Sequence, residues 1–254
     1  MINKLEMISA FRKKIINNSY SIGTWQQIPD ASISEILAKS GYDWVAVDME
    51  HGSISIHQLP NIFRAIELGG VLPFVRISDS QPNFCSQALD AGAAGVIIPM
   101  IYSADQLKSL VNACCWPPFG NRGVGFSRAN LFGKEFIEYE KEAQSPVIIA
   151  QIENIKAVEN LESILQVDGL DGIIIGPYDL SASMGLTSKF NHPEFTKVIN
   201  NIIDICKQSN IPYGYHIVNY DTQELKEKIE NKFSLIAYCT DGIFLNESSA
   251  NPLI

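Results

Sequence analysis

The sequence predicts a (β/α)8 barrel built from the whole chain, residues 1–254. Eight apolar, largely β-branched runs recur along it, amphipathic helical stretches separate them, and no G-x-G-x-x-G or P-loop marks an open nucleotide-binding sheet. Runs without a polar face belong to parallel strands covered by helices, and eight of them in 254 residues is the arithmetic of barrel closure. A doubly wound open sheet is the alternative topology. No linker, repeat or low-complexity tract divides the chain, so one domain is expected.

The N-terminal segment MINKLEMISAFRKKIINN is amphipathic around Met7, Ile8, Phe11 and Ile15. Lys4, Glu6, Arg12, Lys13 and Lys14 interrupt any signal-peptide core or membrane span, and a cytoplasmic protein is expected. The first strand is SIGTW (21–25), and Ser32 three residues before Glu35 reads as a capping box opening the next helix. WVAVDM (44–49), PFVRI (73–77) and GVIIPMI (95–101) follow, with a second capping box at Ser103 and Gln106. The irregular stretch WPPFGNRGVGFSRANLFG (116–133) is too long for a connector and reads as an active-site loop. Beyond it lie VIIAQIE (147–153) and GIIIGP (172–177). A helix then carries Phe195, Val198, Ile199, Ile202, Ile203 and Cys206 on one face. YGYHIV (213–218), a capping box at Asp221 and Glu224, and SLIAYC (234–239) complete the pattern. The last strand reads on to Phe244 and Leu245, leaving only NESSANPLI. Nine residues that include Pro252 cannot build a covering helix, so the last helix is expected to be short or missing. The N-terminal segment or a partner's barrel would then cover the exposed face.

A net charge of −9 and a pI near 4.9, with no Lys/Arg run, argue against nucleic acid or an anionic membrane as partner and favour small molecules. The five cysteines lack C-x-x-C spacing and read as free buried thiols. His57, His192 and Trp116 read as structural.

In a barrel the C-terminal strand ends form the mouth where chemistry sits. Charge at the end of the apolar run VAVDMEHG (45–52) is therefore read as functional. The strand ends supply Asp48, Glu50 and His51, then Arg76, then Gln151 and Glu153, then Asp179 in GPYDLS, then His216. Glu153 and Asp179 form a natural metal pair: two carboxylates neutralise a divalent ion and leave places for water and a chelating substrate, an environment for Mg²⁺ or Mn²⁺ that also tolerates Co²⁺. His51 near Asp48 reads as a base oriented by an acid. No strand end carries a lysine, which leaves no Schiff-base route to an enolate equivalent.

DWVAVDMEHG, FVRI, ALDAGAAGVIIPM, PPFGNRGVG, AQIE and IGPYDLSASMG occur in an order that resembles the metal-dependent class II pyruvate aldolases. These are the 4-hydroxy-2-oxoheptanedioate and 2-keto-3-deoxyglucarate aldolase type, barrels of the phosphoenolpyruvate/pyruvate-domain superfamily. The likeness spans roughly residues 20 to 245. It implies that Glu153 and Asp179 are metal ligands, His51 the general base, Arg76 a transition-state stabiliser, and Asp90 an acid that raises the basicity of that histidine. It also implies that Gln151 binds substrate, that Asp48 orients His51, and that the backbone at Tyr178, where a small residue is usual, meets the substrate. A homo-oligomer is implied as well, here without a swapped C-terminal helix.

The implied reaction is reversible aldol cleavage of a 4-hydroxy-2-oxo acid, such as a 2-keto-3-deoxy sugar acid, to pyruvate and an aldehyde through a metal-stabilised enolate. Arg122 and Arg128 in the long loop either bind an acidic or phosphorylated acceptor or pin the loop. An acyl-CoA lyase-like enzyme and a non-catalytic ligand-binding barrel are the alternatives, although retention of every transferable polar residue weighs against the latter.

Overall fold

The computed structural model describes residues 3–17 and 19–251. The strands are β1 (Ser21–Gln26), β2 (Trp44–Asp48), β3 (Leu72–Arg76), β4 (Gly95–Ile98), β5 (Val147–Ile152), β6 (Gly172–Ile175), β7 (Tyr213–Ile217) and β8 (Leu235–Thr240). All are parallel and close in sequence order, β8 pairing with β1, so the open-sheet alternative is excluded. β4 ends at Ile98 rather than Ile101. Pro99 has no N–H for the ladder, and Met100 turns away with a φ of 51°.

Before β5 the chain carries helices α1 (Lys4–Ile16), α2 (Ala31–Ala38), α3 (Leu59–Leu68), α4 (Pro82–Asp90), α5 (Ala104–Cys114) and α6 (Phe136–Gln144). The second half carries α7 (Ile155–Glu159), α8 (Leu161–Ile164), α9 (Pro177–Ser183), α10 (Pro193–Ser209), α11 (Thr222–Glu230) and α12 (Asp241–Ser248). Ser103 and Asp221 cap α5 and α11 as their spacing predicts. For α2 the cap is Asp30, whose carboxylate accepts the Ser32 N–H at 2.7 Å, because the chain becomes helical at Ala31, one residue before the expected cap.

Strand alternation divides the apolar residues into two cores. Trp44, Ala46, Leu72, Phe74, Ile97, Val147, Ile149, Ile174, Leu235 and Ala237 fill the barrel interior. Val45, Val47, Val75, Val96, Ile148, Ile173 and Ile236 face the helices. Phe195, Ile202 and Cys206 of α10 belong to that outer core, with Val198, Ile199 and Ile203 packed against it. All five cysteines are free and buried.

Three expectations need correction. The N-terminal helix does not cover an outer face: Ile8, Phe11 and Ile15 of α1 join the interior cluster, with Phe11 edge-on to Phe74 at 5.2 Å. They close the bottom of the barrel, where the strands begin. The last strand stops at Thr240, whose hydroxyl caps an eight-residue α12 that includes Phe244 and Leu245. The last helix is thus short rather than missing; Pro252 lies outside the described residues. The long stretch 116–133 lies at the bottom and not at the mouth of its own barrel. Arg128 pairs with Glu67 at the end of α3 and bonds the Ala91 carbonyl at the end of α4. Both helices lead back to strand beginnings, so Arg128 pins the loop. Trp116 anchors it against Phe136 and Tyr139, and Arg122 is buried over the Trp116 and Tyr139 rings, bonding the Tyr139 hydroxyl at 2.9 Å. Among the described residues no helix is long and apolar enough to cross a membrane.

Candidate active site

The phase that buries Trp44 and Phe74 inside the barrel also points the next inward residues of the same strands, Asp48 and Arg76, into its mouth. They are register partners across β2 and β3. Their side chains form a buried two-point ion pair, Nε to Oδ1 at 2.9 Å and Nη2 to Oδ2 at 2.7 Å. Burial alone would raise the Asp48 pKa, but the Arg76 hydrogen bonds and charge outweigh it and hold the carboxyl below its ordinary range. The guanidinium lies 4.5 Å above the Trp25 ring, which fixes its plane. Nη1 makes no hydrogen bond among the described residues, and Arg76 lines the cavity.

After Asp48 the chain turns sharply. Asp48 Oδ1 accepts the backbone N–H of Glu50 at 3.1 Å and of His51 at 3.2 Å. The turn closes on Gly52, where a Cβ would stand 2.3 Å from the Asp48 carbonyl oxygen. His51 is thereby set on the exposed rim of the cavity. Asp48 holds it through the backbone and spends its carboxylate on Arg76 and on Gln27 at 2.8 Å, so the expected acid-to-imidazole contact is absent. Glu50 lies in the same turn. It turns toward Arg76 Nε at 3.2 Å, and its pKa rises to about 6 through burial, against Arg76 and with the charges of Asp48 and Asp179.

Glu153 follows β5 and is 2% exposed. Its Oε1 accepts the Met100 N–H at 2.6 Å, presented by the left-handed backbone of that residue, and its Oε2 accepts from Gln151. Burial, opposed by the Met100 bond and reinforced by Glu50, pushes the Glu153 carboxyl up to about 7. The Gln151 side-chain oxygen is buried without a partner. Gly176 keeps the space beside Glu153 open, since a Cβ there would come within 3.0 Å of Glu153 Oε2 and 3.1 Å of Gln151 Nε2. Asp179, the third residue of α9, lines the cavity at the strand ends. No group of three or more His, Cys, Asp or Glu is placed to hold a metal among the described residues. Two carboxylates, a Cβ-free cradle and an excess of uncompensated negative charge fit a small hard divalent ion that takes its remaining ligands from water and substrate.

Gln27, His51, Arg76, Gln151, Tyr178, Asp179 and His216 share one cavity of about 410 Å³ at the strand ends. An open groove of about 580 Å³ between α8 and α10 lies on the outer helical face and includes none of them. Asp90 is not brought to His51 within the chain. It is the last residue of α4, at the end of the barrel opposite the mouth. There burial raises its pKa and Arg122 is its charged neighbour. Sequence reasoning missed Trp25 beneath Arg76, the Met100 N–H, Gln27, and Asp241, which receives the Gln27 and Ile28 N–H groups at 2.9 Å each. Inward phase along β1 could have found Trp25; a backbone donor leaves no mark in a sequence.

The family described as HpcH/HpaI aldolase/citrate lyase matches residues 21–247 of the chain. A 2-keto-3-deoxy-L-rhamnonate aldolase of Klebsiella pneumoniae is 37% identical over 212 residues, 82% of this chain and 79% of the relative. One from Escherichia coli is 35% identical over 217 residues, 85% and 81% of the two chains. Among solved structures, an HpcH/HpaI aldolase/citrate lyase family protein of Burkholderia cenocepacia superposes with a TM-score of 0.88 at 28% identity, covering 94% and 96%. An HpcH/HpaI aldolase of Desulfitobacterium hafniense gives 0.84 at 28% identity, covering 94% and 93%.

Proposed function

Because the chain belongs to the HpcH/HpaI aldolase/citrate lyase family, we propose that its strand-end cavity cleaves a 2-keto-3-deoxy sugar acid reversibly to pyruvate and an aldehyde. The observation that carries this reading is the meeting, in one cavity, of a rigid guanidinium, an exposed imidazole and the Asp179 carboxylate, with Glu153 just behind the cavity wall at Gly176. Its relatives are named as aldolases, which favours this over an acyl-CoA lyase-like activity.

Cleavage breaks the bond between C3 and C4. The electron pair becomes the enolate of pyruvate, and the C4 hydroxyl gives up its proton as the aldehyde forms. His51, at the cavity rim, accepts that proton and delivers it to C3 of the enolate, completing pyruvate, and in the condensation direction it takes the methyl proton and returns it to the new C4 alkoxide. Arg76, held flat by Asp48 and Trp25, donates to the pyruvate oxygens as charge develops there. Gln151 hydrogen-bonds the substrate, and the backbone at Tyr178 lies along it. A divalent ion held by Glu153 and Asp179, Mg²⁺ or Mn²⁺ with Co²⁺ as a substitute, would supply Lewis-acid stabilisation of the enolate oxygen. Metal dependence is typical of the family. Asp90 has no part in this scheme within one chain.

Supplied with 2-keto-3-deoxy acids, the protein is expected to release pyruvate, to stop in excess EDTA and to form no borohydride-trapped adduct. Full turnover in EDTA, measured by coupled pyruvate detection, would refute the scheme. Arg76→Lys is expected to bind metal yet lose about 10²–10³ in kcat, because a point charge cannot reproduce the planar donor fork. Turnover at the wild-type rate would remove Arg76 from the mechanism.

We also propose a homo-oligomer without a swapped C-terminal helix. Phe119, Phe126, Phe132 and Ile137 are 67%, 74%, 67% and 79% exposed in the single chain, and α12 is only eight residues long. Light scattering showing a monomer at micromolar concentration would refute it.

A further inference from the structure

We infer that Gln27 is a positioning residue of this site: its side-chain amide fixes the Asp48 carboxylate and, through it, both the plane of Arg76 and the turn that carries His51. The inference rests on the aldolase reading above and goes beyond it in adding a residue that sets the geometry of both reacting groups without itself entering the reaction.

Position comes first. Gly23 and Trp25 point into the barrel from β1, and Gln27, two residues after Trp25, keeps that phase just past the strand end. Its neighbour Gln26 is used up in the turn to α2, donating to the Ile28 and Asp30 carbonyls and accepting the Ser34 hydroxyl. Register pairs Gln26 with Val47 and Asp48 with Arg76, so Gln27, Asp48 and Arg76 form one row across β1, β2 and β3. The turn that presents His51 rests on this row: a Cβ at Gly52 would stand 3.1 Å from the Gln27 Cα and 3.2 Å from its carbonyl oxygen. On its other flank Gln27 is anchored by Asp241, which is 3% exposed and accepts the backbone N–H groups of Gln27, Ile28 and Gly242 at 2.9, 2.9 and 2.8 Å. A bulge delivers Asp241 to that place. Ala237 and Thr240 pair with Gly23 and Trp25, so β8 carries one extra residue here, and Cys239 has a φ of 58°.

Chemistry comes second. The Asp48 carboxylate accepts two hydrogen bonds from Arg76 and two from the backbone of the His51 turn. The remaining one, from Gln27 Nε2 to Oδ2 at 2.8 Å, is the only one that comes from neither group it positions. A carboxylate gripped solely by the two parts it must hold in place can drift with either of them. A grip from a strand latched elsewhere gives it a fixed reference. An amide suits the place, because it donates without a charge and does not compete with Arg76 for Asp48 as a lysine would. Arg76 is the only lysine or arginine lining the cavity among the described residues, and its fork stays intact.

The test takes Gln27→Met, similar in size but without a donor, and Gln27→Glu through cleavage kinetics, pyruvate methyl-proton exchange and metal titration. Gln27→Met is expected to lose about tenfold or more in both kcat and exchange rate, the scale of one hydrogen bond to a charged group, while KM and metal affinity stay within about twofold of wild type. Gln27→Glu has its own signature. Position 27 faces the carboxylates of Asp48, Glu50 and Asp241 against one guanidinium, Arg76, with the His51 imidazole on the rim. The new carboxyl therefore keeps its proton above the ordinary range, and only its protonated form can donate to Asp48. Its rate relative to wild type should rise as pH falls from about 8 to about 5. A merely structural role would lower the melting temperature of both variants and leave kcat per folded molecule and this ratio unchanged. Wild-type kcat and exchange in Gln27→Met overturn the inference. So does a pH-independent ratio in Gln27→Glu, which decides alone if the methionine variant does not fold. Absence of proton exchange in wild type overturns the aldolase reading and this inference with it, whereas wild-type exchange that Gln27→Met leaves unaltered overturns this inference alone.

Discussion

Glu153→Gln is expected to weaken Mg²⁺ or Mn²⁺ binding by more than about 100-fold, since removing even an outer partner of a metal ligand costs about 10–100-fold and this change removes a ligating charge. The substitution is close to isosteric, keeps an acceptor for the Met100 N–H and leaves the Gly176 cradle open, so the folded barrel should survive it. The carboxyl also predicts a pH signature. With its pKa pushed up to about 7 by burial, Glu153 keeps a proton that the ion must displace, so wild-type affinity should fall as pH drops below 7, by up to about tenfold per unit, with proton release on binding. The same shift sets the sign of the stability change without metal. The folded state holds this proton more tightly than the unfolded chain, so the contribution is complete below the ordinary value of 4.5 and is lost as pH rises through about 7. Titration calorimetry in two buffers of different ionisation enthalpy measures both affinity and released protons. Wild-type affinity and proton release in Glu153→Gln would remove Glu153 from the metal site.

His51→Ala is expected to bind the same ion with wild-type affinity yet exchange the pyruvate methyl protons about 10²–10⁴-fold more slowly, the range for loss of a positioned general base. The argument is geometric. The imidazole is exposed at the cavity rim, while the turn that carries it is held by Asp48 through the backbone N–H groups of Glu50 and His51, and alanine retains those bonds. A purely structural role would instead lower the melting temperature and leave exchange intact. Proton NMR of pyruvate in deuterated buffer, beside a metal-binding titration, separates the two. Exchange at the wild-type rate would end the assignment.

Period and phase made the barrel legible in the sequence. Eight buried strands separated by amphipathic helices closed in the order in which they are written, because short right-handed crossovers leave parallel strands little other choice. Strand phase likewise directed Asp48, Arg76 and Gln151 toward the mouth, since a residue two beyond an interior position shares its direction, whereas Asp179 reaches the cavity from the first turn of α9. Contacts between elements far apart in the chain were beyond that reasoning. Glu50 turned toward Arg76 because a buried guanidinium draws in a second carboxylate, not because of any local pattern. Asp90 and the 116–133 stretch went to the far end of the barrel because the helices bringing them there run back toward the strand beginnings. The amphipathic N-terminal helix displayed an apolar face, but the opening at the bottom of the barrel decided what that face would bury. His216 was one more histidine at a strand end until the closed barrel set its ring 5.1 Å from that of Trp25. Sequence period reports which way a side chain points within its own element; which partner it meets is set by how the elements close on one another, and in this chain that closure decided most of the electrostatics of the site.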